Sequence, residues 1–325
     1  LTKDYGLKRA WQVHAKTNIE LDAVCYRSIL IHSSGETKYY ATMQFPEKLE
    51  ALSIQLPRFS KFKEIDAKGF AVERVESDVG ETISIVRKSS GNSDIFHKIC
   101  LDLLELLNTF HEKITDTYIL NRIHSWVQFM DKSRLSMSKS AELGLYGEVA
   151  IVRTLLESGV PGKDILQAWV GPERGLHDFV FPKIEIEVKT TAKESSSCKI
   201  SSLDQLDNSS NSNLFLSLVK LVESPDGLIL PDYVEDTKKL FGSNEDKLSF
   251  EAKLMLVGFH SNLNKEFETQ YSISGAFNYL VDDEFPRLTP AKVPIAITHV
   301  SYDVNLEDTK QNSELYDQIR DMIWN

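Results

Sequence analysis

Cysteine is scarce: Cys25, Cys100 and Cys198 are the only three in 325 residues, and no two stand in a C-x-x-C spacing. A disulfide-framed secreted scaffold and a cysteine-rich zinc site are excluded, and the count fits a chain kept reduced in the cytoplasm. Long apolar runs are missing too. No stretch approaches the roughly 20 uninterrupted apolar residues of a spanning helix, and LTKDYGLKRAWQ holds no run suited to a signal peptide, so the expectation is a soluble, cytoplasmic protein with no membrane partner. The G-x-x-x-x-G-K-[ST] phosphate loop is absent, which removes the case for an intrinsic ATPase. Ser195, Ser196 and Ser197 lie in a turn-rich stretch without a nucleophile elbow, so serine hydrolysis has little support. Positive charge is in deficit: 37 Lys and Arg against 48 Asp and Glu leave a formal net charge of −11. That argues against a uniformly basic nucleic-acid surface but not against a local cleft, and carboxylates that hold metal ions enter the sum as uncompensated negatives.

What is present is an ordinary globular composition, 42% hydrophobic and 26% charged, in a chain long enough for two domains. NIELDAVCYRSILIHSSGETKYYATMQF and GFAVERVESDVGETISIVRK predict strands, with SSGE and DVGE as hairpin connections. From Ile95 through Phe96, Ile99, Leu103 and Leu107 the spacing turns helical, started by SSGNSD and continuing to Leu120. Residues 1–125 therefore form an expected β-rich domain ending in a helix. Residues 135–325 predict a mixed α/β domain. AELGLYGEVAIVRTLLESG is an amphipathic helix stopped by Gly159 and Pro161; ILQAWVG, RGLHDFVF and IEIEVKTT read as strands; CKISSLDQL is extended and runs into a helix start; NLFLSLVKLVES is another strand. Residues 229–253 show weaker helical periodicity, KLMLVGF and KVPIAITHVSYDV are strand candidates, and NSELYDQIRDMIWN suggests a closing helix.

GLHDFVFPKIEIEVKTTAKE, residues 175–194, is the segment that raises a chemical question. In a strand Ile184, Ile186 and Val188 point to one face while Glu185, Glu187 and Lys189 point to the other, alternate residues lying ~7 Å apart. Two carboxylates and an amine at that spacing need water, a metal or a salt-bridge partner. Asp178, nine residues before Glu187, is placed by a hairpin or bend beside the same strand. Carboxylates on adjacent strands suit a hard divalent cation, and a lysine beside them suits water positioning or stabilisation of charge on a phosphate. A solvated Glu-Lys face and a turn aspartate would show the same pattern.

Glu148 sharpens the reading. It shares a helix face with Leu145, Val152 and Leu155, where a carboxylate is costly unless paired or ligated, and Gly144 one turn earlier would admit another element. The bland alternative is a stripe-edge glutamate reaching solvent. Ser202-Leu203-Asp204-Gln205 matches a capping box, which makes backbone capping the favoured role of Gln205. His177 is a candidate substrate contact, although a lone histidine is more often structural or merely exposed, and Glu185 reads as peripheral.

GLYGEVAIVRTLL, LHDFVF, IEIEVKTT and ISSLDQL together resemble the PD-(D/E)xK phosphodiesterase superfamily. More narrowly the chain is similar to bacterial PD-(D/E)xK motif proteins described only as a domain of unknown function and associated with restriction or phage defence. The motif covers residues 148–205, and the narrower likeness extends to GFAVERV and DIFHKICLDLLELL. The resemblance implies a restriction-endonuclease-like core, a mixed α/β (α+β) fold whose central sheet is flanked by helices, preceded by the β-rich domain. It implies that Glu148, Asp178, Glu187 and the Val188 carbonyl hold Mg²⁺, with Mn²⁺ as a substitute, and that Lys189 completes the ExK half; Glu148, Asp178, Glu187 and Lys189 are the implied catalytic set. Gln205 falls where related enzymes place a further polar residue. His177 stands where the motif's name has proline, a position that is not a ligand.

The resemblance thus leads to the expectation of a metal-dependent DNA endonuclease, with a homodimer and protein partners of a defence system among its arrangements. The alternative from another class is a noncatalytic or partner-dependent DNA-binding or assembly subunit, and a second enzyme reading is cleavage of RNA or of a particular DNA structure.

Overall fold

Alternation near the amino terminus builds an antiparallel sheet. In this computed structural model, which describes residues 5–16, 24–57, 62–110, 115–131, 137–207, 212–260 and 267–324, the strands are β1 (Cys25–Ser34), β2 (Thr37–Phe45), β3 (Leu49–Gln55), β4 (Ile65–Asp66), β5 (Phe70–Ser77) and β6 (Gly80–Arg87). Their spatial order is β1-β2-β3-β6-β5-β4. Both expected hairpins form, with Gly35 and Gly80 at φ of 58° and 94° in their turns. Residues 18–23 of the first expected strand lie outside the described residues. Helix α1 (Leu7–Ala15) was not expected. Its buried residues Leu7, Ala10, Trp11 and His14 follow i, i+3, i+4, i+7, and the Trp11 indole donates to the Ala51 carbonyl at 2.9 Å.

The single helix expected from Ile95 to Leu120 is instead two, α2 (Ser93–Phe110) and α3 (Asp116–Asp131), with residues 111–114 outside the described ones. Asp102 explains the arrangement: Arg122 Nε and Trp126 Nε1 donate to it at 2.8 and 2.7 Å, so a carboxylate on α2 is satisfied by side chains of α3. By contact density the chain divides into Leu1–Lys132 and Ser133–Asn325.

The second unit opens with α4 (Lys139–Glu157), whose first turn is capped by the Ser138 hydroxyl accepting from the Ala141 amide at 3.2 Å. Then come α5 (Gly162–Ala168), β7 (Phe179–Val180), β8 (Ile184–Thr191), β9 (Ser197–Ile200), β10 (Asn213–Leu228), α6 (Leu230–Lys239), α7 (Asn244–Leu256), β11 (Tyr271–Leu280), β12 (Tyr302–Asn305) and α8 (Leu315–Trp324). The sheet order is β11-β10-β8-β7, with β10 parallel to β8 and the other pairs antiparallel. Ile184, Ile186, Val188, Phe215 and Val219 share one core with residues from all five helices α4 to α8. On the opposite face Leu214, Leu216 and Leu218 pack with Cys198 and Ile200 of β9, Leu206 and Val304 of β12. This is the expected mixed sheet flanked by helices, but both faces of β8 are covered. The face of Glu185, Glu187 and Lys189 is therefore not a solvated one.

Close approach of α4 to β8 is made at Gly147, where a Cβ would overlap the Thr190 hydroxyl and lie 3.1 Å from Thr190 Cβ. The expectation had been Gly144, where a Cβ would meet nothing within 4 Å. Three strand expectations are also corrected. ILQAWVG belongs largely to α5, because Pro161 and Gly162 start a helix that buries Ile165, Leu166 and Ala168. KLMLVGF closes α7, which begins where the Ser243 hydroxyl accepts from the Asp246 amide and ends before Gly258 at φ 85°. Of KVPIAITHVSYDV only its last three residues, from Tyr302, are strand, the start of β12, and Ile295 is fully exposed. Strand β11 was missed because its pattern is interrupted by Asn278, which is buried and accepts from the Ser217 hydroxyl of β10 at 2.6 Å. Among the described residues no helix is long and apolar enough to cross a membrane.

Candidate active site

Three acidic side chains and one lysine of the second unit meet where β7 begins. β7 pairs with β8 only at Phe179↔Ile186 and Val180↔Glu185, so among the described residues the edge of β8 beyond Ile186 has no ladder partner on that side. Asp178 takes that place: its Oδ2 accepts from the Val188 amide at 2.7 Å. Its own carbonyl accepts from the Val170 and Gly171 amides, both at 2.9 Å, which pins the residue from behind. Because N–H and C=O of one strand residue project to the same side, the Val188 carbonyl faces this edge as well.

Glu187 is 3% exposed. A carboxylate so deep requires partners, and Oε1 receives Lys189 Nζ at 2.6 Å and Gln205 Nε2 at 2.8 Å. Burial, then the nearby Asp178 charge, push Glu187 up to about 8, with Lys189 opposing. Glu148 reaches the site from α4 and accepts from the Trp169 indole at 2.7 Å through Oε2. It too is pushed up to about 8, first by burial and then by Asp178, against the Trp169 hydrogen bond. Asp178 is raised by burial, with the Val188 amide, Lys189 and His177 opposing. One ammonium group faces three desolvated carboxylates, and the site holds on to protons because negative charge is in excess.

Gln205 does two things. Its Oε1 accepts from the Ser201 amide at 2.8 Å while its amide nitrogen donates to Glu187, and Ser202 makes no side-chain cap, so the expected capping box is replaced by a link between backbone and site. His177 is 2% exposed, with Nδ1 2.5 Å from Glu185 Oε2. Its Nε2 is buried without a hydrogen-bond partner among the described residues. The structure thus places His177 as the buried partner of Glu185 and not at a solvent-facing position. Glu185 makes its described hydrogen bond to His177, which in turn opposes the rise of Asp178. Cys198 lies within reach of the Lys189 and Glu187 charges, but burial raises its thiol to about 11, which makes it unreactive.

Trp169 and Gly171 were missed by sequence reasoning. Trp169 is fully buried, and its indole N–H has to find an acceptor; that requirement, in a short segment between the Glu148 helix and the hairpin, was the available signal. A Cβ on Gly171 would lie 2.8 Å from Asp178 Oδ1 and 3.0 Å from Glu148 Oε2. Two carboxylate oxygens therefore border the same small space.

Among the described residues, no group of three His, Cys, Asp or Glu side chains is arranged to hold a metal ion. The donor chemistry nevertheless fits a hard divalent cation: oxygen ligands only, excess negative charge, and a space bordered by Asp178 and Glu148 that a methyl group would fill. Glu187 Oε1 is meanwhile turned to Lys189 and Gln205.

Residues 10–307 match the model of a protein family described as "Putative PD-(D/E)XK family member, (DUF4420)". No curated protein and no solved structure matches the chain.

Proposed function

Since this chain belongs to the PD-(D/E)XK family DUF4420, we propose that it is a metal-dependent DNA endonuclease hydrolysing phosphodiester bonds in restriction or phage defence, with Mg²⁺ as its ion and Mn²⁺ as a substitute. The observation that carries the reading is the meeting of Glu148, Asp178, Glu187 and Lys189 at the open edge of β8, with Glu187 buried, the other three half-buried, and the group short of positive charge. Glu148, Asp178, Glu187 and the Val188 carbonyl would hold the ion. When bound, it supplies Lewis-acid charge for attack on the phosphate.

The chain's own residues do the rest. The Val188 amide holds Asp178 toward the β8 edge, and Lys189 Nζ, 2.6 Å from Glu187, stands where it orients water or stabilises charge developing on the phosphate. Gln205 keeps Glu187 in place through its own tie to the Ser201 amide. Covered faces of β8 limit solvent around these groups, which strengthens each electrostatic contact. The catalytic part is read as residues 135–325, acting in the cytoplasm, and cleavage of both DNA strands calls for two copies of the site.

A second reading is favoured by one observation, the engagement of Glu187 by Lys189 and Gln205: a noncatalytic or partner-dependent DNA-binding subunit of a defence complex, in which the carboxylates stay protonated or paired. Cleavage of methylated and unmethylated plasmid with Mg²⁺ or Mn²⁺, beside an EDTA control and Lys189→Ala, separates the two. Metal-dependent nicking lost in Lys189→Ala supports the nuclease. Equal silence of wild type and variant on every substrate sinks autonomous cleavage.

A further inference from the structure

Two uncharged residues hold the site's carboxylates in relation to each other. Trp169 is fully buried, its ring stacked on Phe179 at 6.2 Å and set against Phe250 at 5.8 Å, while Lys253 Nζ grips its carbonyl at 2.6 Å. A ring packed between two aromatics has one orientation, and that orientation aims the indole N–H at Glu148 Oε2, 2.7 Å away. Two residues later the chain turns so that the Val170 and Gly171 amides both donate to the Asp178 carbonyl. The same short segment thus touches both acidic residues.

Gly171 has no left-handed φ, so its backbone conformation does not demand glycine. Space does: a side chain would project between Asp178 Oδ1 and Glu148 Oε2 and lie 3.3 Å from Asp178 Cα.

We propose that Trp169 and Gly171 are positioning residues for divalent-cation binding, the indole fixing Glu148 and the bare glycine keeping open the space between the Glu148 and Asp178 oxygens. This rests on the metal-dependent reading above. Hydrogen-bond partners of metal ligands orient them, and losing one costs ~10–100-fold in metal affinity. Trp169→Phe keeps an aromatic ring beside Phe179 and Phe250 but deletes the N–H together with part of the ring volume, whereas Gly171→Ala leaves the indole in place and fills the space.

The test is Mn²⁺ binding to the full chain, followed by electron paramagnetic resonance of the free ion and by calorimetry, with thermal melts alongside. Trp169→Phe and Gly171→Ala are each expected to weaken Mn²⁺ binding by at least ~10-fold, read at a temperature where the melts show every variant folded, since Trp169→Phe also lowers the melt by the volume it loses. In a Glu148→Ala background Trp169→Phe should cost no further affinity, because the indole acts through that side chain. Unchanged affinity in both variants, or an equal loss from Trp169→Phe with and without Glu148, overturns the inference while leaving the metal reading intact. If the wild-type chain takes up no Mn²⁺, the metal reading itself fails and the positioning role falls with it. Should Trp169→Phe fail to fold, Gly171→Ala decides.

Discussion

Gly147→Ala should destabilise the second unit although alanine is the better helix former. In an unhindered helix interior the exchange gains about 0.8–1 kcal/mol. Here the new Cβ would overlap the Thr190 hydroxyl and come within 3.1 Å of Thr190 Cβ and 3.4 Å of its Cγ2, against an optimum of about 3.5–4.0 Å between carbons. Rotating Thr190 moves the hydroxyl but not its Cβ, so α4 must also lift from β8. Overpacking of this kind costs about 1–3 kcal/mol, and the upper part of that range applies because backbone is involved. The net expectation is a loss of about 1–2 kcal/mol once the helix gain is subtracted.

Gly144→Ala on the same helix is the control. Its Cβ meets nothing within 4 Å, so it should stabilise by about 0.8–1 kcal/mol. Thr190→Ala removes the overlapping hydroxyl, which has no hydrogen-bond partner among the described residues, but keeps the Cβ at 3.1 Å, so Gly147→Ala added to it should cost less but not nothing, a coupling of about 0.5–1 kcal/mol. Urea melts of the full chain combined with hydrogen-exchange mass spectrometry on α4 and β8 peptides assign the loss to the second unit. If Gly147→Ala stabilises as much as Gly144→Ala, the close packing of α4 on β8 is refuted, and with it the placement of Glu148 on the next residue.

Metal-free stability should fall as pH rises from the ordinary carboxylate range to about 8 and level off above, because folded Glu148 and Glu187 keep protons that the unfolded chain has released. Melts across that window check the sign: Glu187→Gln should flatten the slope, Mg²⁺ should restore stability at the alkaline end, and a melting temperature that climbs with pH would contradict the argument. His177→Leu should cost about 1–3 kcal/mol by leaving Glu185 without its hydrogen-bond partner, and adding Glu185→Leu should recover most of it. Equal stability of the single and double variants in denaturant titrations would show that the pair is not coupled.

Much of the second unit was legible because period and punctuation agreed. α4 carries an uninterrupted apolar stripe stopped by Gly159, and β8 alternates cleanly over Ile184–Thr191. Short apolar runs failed where helix and strand share a composition, as in ILQAWVG and KLMLVGF, since length and caps decide there and each run was read without its upstream start. β11 was hidden by Asn278, a polar residue kept inside by its bond to Ser217, which no single-strand pattern reveals. In the site, the carboxylates and lysine were readable from parity and spacing. Their supports were not: Trp169, Gly171 and the Val188 amide act through tertiary contacts, and the His177–Glu185 pair joins residues on either side of the hairpin turn.

The two-residue length of β7 has a consequence for association as well as for chemistry. An unpaired stretch at the side of a strand is a docking rail for foreign extended peptide, the first step in strand addition and aggregation. Asp178 covers the Val188 amide on that rail with its own carboxylate, so the donor that an incoming backbone carbonyl would need is already taken. The aspartate is thus also a guard against unwanted self-assembly. Replacing it with alanine would free the amide it covers and invite oligomers by strand addition, whereas asparagine, which keeps a carbonyl acceptor for the same amide, would hold that edge shut.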